Sequence, residues 1–391
     1  MTDKGIVKKN ILIFSIAYLP FIGGAEVAVR EITDRLGDFE FDMLTARLSP
    51  KLARFEKIGN VNVYRLGFGS ALDKYMFPFA ACLKALSLNI KRSYALSWAI
   101  MAAYAGFAGL FFKLARPKIP FLLTLQEGDP LPEIEKKVRF IRPIFKKIFL
   151  KADHIQAISN FLADWARKIG YKGALSVVPN GVDINKFKIQ NLKFKITIQN
   201  LKLKLDIKDD EKVVITVSRL VKKNGIENLI RAMKELRNLN AELRVKLLIA
   251  GKGEQEEYLK DLTKKLNLED NVLFLGEVSH KDLPQYLWIS DVFVRPSLSE
   301  GLGNAFLEAM AAGVPAIGTK VGGIPDFLRE GETGLFCEVQ NPKSITEKIK
   351  TLLKDENLRL RLIENGRKLV EEKYSWDFIA LEMKNIFDKL I

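Results

Sequence analysis

The sequence predicts an α/β protein built from two doubly wound domains. Three observations carry that reading. Short runs rich in Val, Ile and Leu alternate with amphipathic stretches along the chain, as parallel strands covered on both faces by helices do. The alternation occurs twice, once in each half. A length of 391 residues supplies two cores rather than one.

In the first half the predicted strands are residues 11–17, 41–45, 61–66, 121–125, 155–159 and 175–178, with helical periodicity over 25–36 and 161–169. The apolar run from Ile11 to Ile22 follows Lys4, Lys8 and Lys9 and so imitates a secretory signal, but no small-x-small cleavage site comes after it. It reads as a buried strand, then a loop punctuated by Pro20, Gly23 and Gly24. Tyr94–Phe112 carries no charge and is long enough for a bilayer span. Its Ala and Gly content, with Ser97, reads instead as a buried strand followed by a core helix.

The second half repeats the pattern, with strands at 213–218, 245–250, 272–275, 292–295, 316–318 and 334–337. Helices are predicted near 226–235, 255–265, 303–312 and 342–353. Asn180-Gly181 marks a turn, and Lys186–Lys212 is Lys-rich, free of glycine and internally duplicated at 189–195 and 198–204. This stretch reads as a linker. The predicted organisation is therefore residues 1–185, a linker over 186–212, and a second domain over 213–373. A terminal segment, 374–391, places Trp376, Phe378, Ile379, Met383, Ile386 and Phe387 on one helical face and completes the first domain.

Composition narrows the function. Lys plus Arg is 62 and Asp plus Glu is 47, a formal charge of +15 that favours phosphorylated ligands, anionic lipid or nucleic acid. No recognition-helix, RRM or zinc pattern supports nucleic acid. With two cysteines (Cys82, Cys337), two histidines (His154, His280) and no DxD, the sequence offers neither a disulfide framework nor a familiar metal clip. No metal or other cofactor is expected, and a reduced cytosolic compartment fits.

No GxGxxG or GxxxxGK[ST] loop is present; the candidate chemistry lies in three Gly-rich loops at strand ends. Phe21–Glu26 presents Gly23 and Gly24 ahead of a helix N-terminus. Ser218–Gly225 offers Arg219 with Lys222 and Lys223, a cation set suited to phosphate. Pro296–Glu308 places Glu300 before a helix and Glu308 about two turns into it, so the carboxylates stand about 10–12 Å apart. A retaining glycosidase pair needs about 5–5.5 Å; the wider spacing suits two ends of one extended ligand with a diphosphate at the helix N-terminus between them. Glu330, on a predicted surface turn, is a carboxylate outside this motif.

The stretch from Ser299 to Pro315, with Glu300 and Glu308 separated by seven residues, resembles the E-x7-E signature of the retaining glycosyltransferases of family 4. Further resemblance runs through 23–26, 178–183, 217–221, 249–253, 322–326 and 331–336. It implies the GT-B architecture, two Rossmann-like domains facing an interdomain cleft, with the terminal helix crossing back to the first. It also implies hexosyl transfer from a nucleotide-diphosphate sugar to an acceptor hydroxyl, on a glycan or lipid-linked saccharide of the cell envelope, without a metal. The setting implied is cytoplasmic, peripheral to the membrane. By this resemblance Glu308 holds the donor ribose, Glu300 contacts the transferred sugar, and Arg219 neutralises the diphosphate with the amides of Gly303, Asn304 and Ala305. Gly23, Gly24 and Gly251 line the donor, and the base lies along 274–278, ending at Val278. Two positions depart from the pattern. Asn224 stands where a lysine is usual, leaving Lys223 as the neighbouring cation, and Gln126 stands where a histidine is frequent, so that position cannot act as a general base.

Competing readings are a non-catalytic basic protein on membrane or nucleic acid, and a GT-B sugar-nucleotide epimerase. The segment 136–150, with six Lys/Arg among Phe and Ile, suits either an anionic bilayer surface or an ordinary amphipathic helix restarted at Pro143.

Overall fold

The computed structural model describes residues 8–188, 192–239 and 243–391. The chain divides into two compact units: residues 1–180 with 376–391, and residues 181–375.

Unit 1 holds a sheet of β1 (Lys9–Phe14), β2 (Phe39–Ala46), β3 (Phe55–Ile58), β4 (Val61–Leu66), β5 (Leu96–Ile100), β6 (Phe121–Leu125), β7 (His154–Ala157) and β8 (Ala174–Val177). Their order is β3-β4-β2-β1-β5-β6-β7-β8, parallel except for the β3–β4 pair. Ile11 pairs with Phe41 on one side and Leu96 on the other, and residues 11–14 are all buried; both faces of this inner strand are covered, which explains its uninterrupted apolar run. Tyr94–Phe112 resolves into β5, buried throughout, and helix Ala105–Ala115. The terminal helix Trp376–Leu390 packs on helix Gly24–Arg35. Phe387 meets Phe39 edge-on at 5.6 Å and Trp98 at 5.2 Å. Trp376, Ile379, Met383 and Ile386 join this core; Phe378, expected on the same face, lies one step round the helix and is exposed.

Unit 2 holds β9 (Lys212–Val217), β10 (Val245–Ala250), β11 (Val272–Gly276), β12 (Val292–Arg295), β13 (Ala316–Thr319) and β14 (Leu335–Cys337), in the order β11-β10-β9-β12-β13-β14. Every pair is parallel. The chain winds outward from β9 through β10 to β11, then returns to β12 on the opposite side of β9. Strand order reverses there, and in open α/β sheets a ligand crevice opens beyond the carboxyl ends at such a point.

The predicted linker is not one. Residues 186–212 fall in unit 2 and carry helix Leu192–Lys204; a Lys-rich, glycine-free run has good helix propensity. Residues 189–191, where the duplication begins, lie outside the described residues. The units divide at 180/181 and 375/376, a few residues from the predicted boundaries. The helices without a predicted counterpart include the long ones Asp73–Arg92 and Glu356–Lys373.

Candidate active site

The loop after β12 leads into helix Asn304–Ala312, whose N-cap is Gly303 at φ +102°. A side chain would be strained in that conformation, and a Cβ there would press on the Phe306 ring at 2.9 Å. Glu308 is the fifth residue of this helix, little more than one turn in rather than the two expected. Glu300 is clamped from behind. Gly323 donates its amide to the Glu300 carbonyl at 3.1 Å, and Gly322, at φ +55°, packs so closely that a Cβ would collide with that same carbonyl.

Arg295, the last residue of β12, joins the pieces. Its Nη2 donates to Glu300 Oε2 and, at 3.3 Å, to Asn224 Oδ1; Arg295 and Glu300 side chains are only 11% and 12% exposed. Asn224 donates its Nδ2 to the Arg219 carbonyl at 2.6 Å and is itself buried. Asn224 therefore serves as a buried amide brace between the β9 exit and Arg295, not as a cation. The positive charge beside Glu300 comes from the strand end instead. Arg219 projects exposed beyond β9, while the Lys223 carbonyl accepts from the Leu298 amide at 2.6 Å, tying the two strand-end loops together. Ser218 Oγ, Ser297 Oγ and Arg295 Nε are buried here without a hydrogen-bond partner among the described residues. Buried polar atoms left without a partner are uncommon in a packed core, and these three lie on the strand ends and loop at the β9/β12 switch point.

Glu308 has its own partner. His280 Nε2 lies 2.7 Å from Glu308 Oε1, and Lys186 Nζ donates to His280 Nδ1. A donor on Nδ1 makes that nitrogen the acceptor, so Nε2 carries the proton and donates to Glu308. Glu308 is 13% exposed and His280 46%, so the carboxylate is held from the solvent side. Gly251 follows β10, its amide donating to the Gly276 carbonyl at 2.7 Å. Val278 sits half-buried two residues beyond β11. Asn304 and Ala305 are the first two residues of the helix.

Gly23, Gly24 and Gln126 belong to unit 1. Gly23 caps and Gly24 opens helix Gly24–Arg35, both exposed. Gln126 follows β6 but is buried, with its Nε2 donated to Asn180 Oδ1 at 2.8 Å. Sequence reasoning passed over Arg295 and His280. The signals were present: a lone charge ending the apolar strand Val292-Phe-Val-Arg295, and one of two histidines in the chain.

Glu127, beside Gln126, is fully buried. Burial pushes its carboxyl up to about 7, against the opposing pull of the Ala102 and Gln126 amides. The folded state thus holds this proton longer than the unfolded chain does. As pH rises from the ordinary glutamate range toward 7 the unfolded state ionises first, and stability falls by up to about 3 kcal/mol before levelling off. Thermal melts at acidic and alkaline pH check this. Wild type should lose more stability on going alkaline than Glu127→Gln; equal slopes in the two proteins would contradict it.

Among the described residues no group of three His, Cys, Asp or Glu side chains is placed to hold a metal ion. Residues 22–186 match the family Glycosyltransferase Family 4, and residues 197–369 match Glycosyl transferases group 1. An uncharacterised glycosyltransferase of Methanocaldococcus jannaschii, MJ1607, is 39% identical over 214 residues, 54% of this chain and 53% of that protein, so the matched stretch spans about half its length. A second from the same organism, MJ1069, is 27% identical over 401 residues, covering 98% of this chain and 99% of that one. Among solved structures, Anabaena HepE in complex with UDP and glucose shares the fold at TM-score 0.77 and 21% identity, covering 97% of this chain and all of HepE. Two family signatures, one on each unit and both on this pair of parallel sheets, leave one assignment: the chain belongs to the family 4 glycosyltransferases of the GT-B fold.

Proposed function

We propose that the chain is a retaining, metal-independent hexosyltransferase, moving a hexosyl group from a nucleotide-diphosphate sugar to an acceptor hydroxyl of a glycan or lipid-linked saccharide in cell-envelope synthesis. The observation that carries this reading is the placement of Glu300 and Glu308 on either side of one helix N-terminus at the β9/β12 switch point, with Arg219 at the adjoining strand exit. The positive end of the helix dipole at the start of helix Asn304–Ala312 and the exposed Arg219 guanidinium suit a diphosphate. Glu308 suits ribose hydroxyls, with His280 sharing or yielding its carboxylate. Glu300, its Oε2 engaged by Arg295, suits a sugar on which positive charge develops.

In the reaction so read, the bond from the anomeric carbon to the diphosphate oxygen breaks as the acceptor oxygen bonds that carbon from the same face. The acceptor's proton passes to the departing diphosphate. The site's contribution is charge placed in advance where the leaving group develops it. Gln126, committed to Asn180, takes no proton in this scheme.

Arg219, the neighbouring lysines and the helix N-terminus carry the leaving-group charge, so EDTA should leave turnover nearly unchanged. Loss of activity in EDTA, restored by Mg²⁺ or Mn²⁺, would overturn this part of the reading. A panel of nucleotide sugars identifies the donor. At 100 times its dissociation constant the correct one adds about 2.7 kcal/mol of stability, a readily measured thermal shift.

A further inference from the structure

We propose that three adjacent helices of unit 1, Asp73–Arg92, Ala105–Ala115 and Arg142–Leu150, form a face that seats the protein on an anionic lipid bilayer. The proposal names a partner surface and stands independently of the glycosyl-transfer reading.

Helix Asp73–Arg92 is apolar on both sides. Phe77, Ala81, Ala85 and Leu88 turn inward and are buried. Tyr75, Met76, Phe79, Leu83 and Ile90, at helical spacing, form a second stripe that meets solvent, with Leu83 70% and Ile90 79% exposed. Helices apolar all round belong in a large core or against lipid, and a continuous exposed stripe differs from the scattered apolar side chains of ordinary surfaces. The double apolar face also explains why this helix escaped periodicity analysis.

The stripe does not end with its own helix. Helix Ala105–Ala115 packs between the other two. Phe79 stacks on Phe111 at 5.3 Å, and Phe107 meets Phe145 at 6.2 Å, so aromatic rings run across all three. Beyond them Leu114, Ile144 and Phe140 stand out, Phe140 being 83% exposed.

Charge decides the occupant. Residues 73–92, 105–115 and 139–150 contain nine Lys or Arg and one acid, Asp73, which is buried and accepts the Gly69 and Ser70 amides. Arg139, Arg142, Lys146 and Lys147 are all exposed beside the apolar side chains. Cations flanking an apolar face, with no exposed acid on these segments, complement a bilayer whose headgroups are anionic and whose interior is hydrocarbon. Among the described residues no helix is long and apolar enough to cross a membrane. The 20-residue helix Asp73–Arg92 would lie in the interface, along about 30 Å of it.

The test is flotation of the full chain with phosphatidylcholine vesicles, with and without phosphatidylglycerol, at low and high salt. Wild type should float with the phosphatidylglycerol vesicles and detach as salt rises. The variant Leu83→Glu/Ile90→Glu, altered only at solvent-facing positions and checked for folding by its thermal melt, should partition more than about tenfold less. Leu360→Glu, at an exposed apolar position of unit 2, should float as wild type does. Unchanged flotation of the double variant, or equal wild-type binding to pure phosphatidylcholine, would overturn the proposal. So would a wild-type dimer that ignores vesicles and becomes monomeric in the double variant, since the face would then belong to a second copy.

Discussion

Glu300→Gln and Arg219→Ala should each lower kcat by roughly 10²–10³ while leaving KM for the donor much closer to wild type. In the proposed reaction the two residues address opposite charges that appear only as the glycosidic bond breaks: Glu300 would face the sugar as it becomes cationic, and Arg219 the diphosphate as it becomes more anionic. Neither change should unfold unit 2. Arg219 is exposed, and the brace at this point uses its backbone carbonyl, accepted from by Asn224, which the alanine retains. In Glu300→Gln the amide oxygen still accepts from Arg295. Steady-state kinetics with the cognate donor measure both effects. Glu330, the carboxylate outside the motif, is engaged at its turn and so makes a poor inert control: it accepts the Phe336 amide at 2.5 Å and pairs with Lys348 at 2.7 Å. Glu364, exposed on helix Glu356–Lys373, is the better control, and Glu364→Gln should alter rate by no more than about twofold, as surface changes usually do.

Arg295→Ala should fail in two ways at once. It removes the cation against which Glu300 is held, leaving a nearly buried carboxylate without its partner; breaking such a pair typically costs about 3–5 kcal/mol. It also frees Glu300 and Asn224 together, so kcat should fall at least as far as in Glu300→Gln. A double-mutant cycle separates the two losses. Adding Glu300→Gln to Arg295→Ala removes the stranded charge and should recover part of the stability while restoring none of the activity. Urea melts and initial rates on the same four proteins provide the check. Strictly additive stability losses would show that Arg295 and Glu300 do not act as a pair.

Strands and most helices were legible wherever burial imposes a clear pattern. Phe121–Leu125 and Val292–Arg295 match their predicted bounds because covered parallel strands must be apolar and end abruptly; Val61–Leu66 matches because its buried and half-buried residues alternate. The motif from Glu300 to Glu308 was legible because the residue types themselves carry it. Other features depend on neighbours the sequence does not order. Asn224 looked like a missing lysine, and only the pairing of β9 with β12 brings Arg295 beside it. Glu308 looked solitary until the loop after β11 delivered His280. Helix Asp73–Arg92 gave no amphipathic signal because both of its faces are apolar, and the Lys-rich run at 186–212 looked like a linker because charge and a lack of glycine suit a solvated helix equally well.

The central claim is that a nucleoside diphosphate binds at the N-terminus of helix Asn304–Ala312 with its ribose on Glu308. Calorimetric titration of UDP, GDP and ADP into wild type, Glu308→Gln and Glu364→Gln, all in EDTA, tests it most directly. One of these nucleotides should bind wild type and Glu364→Gln alike, and bind Glu308→Gln about tenfold or more weakly, the loss expected when hydrogen bonds to a charged acceptor weaken. Absence of binding by every nucleoside diphosphate, or equal affinity in Glu308→Gln and Glu364→Gln, would contradict the account.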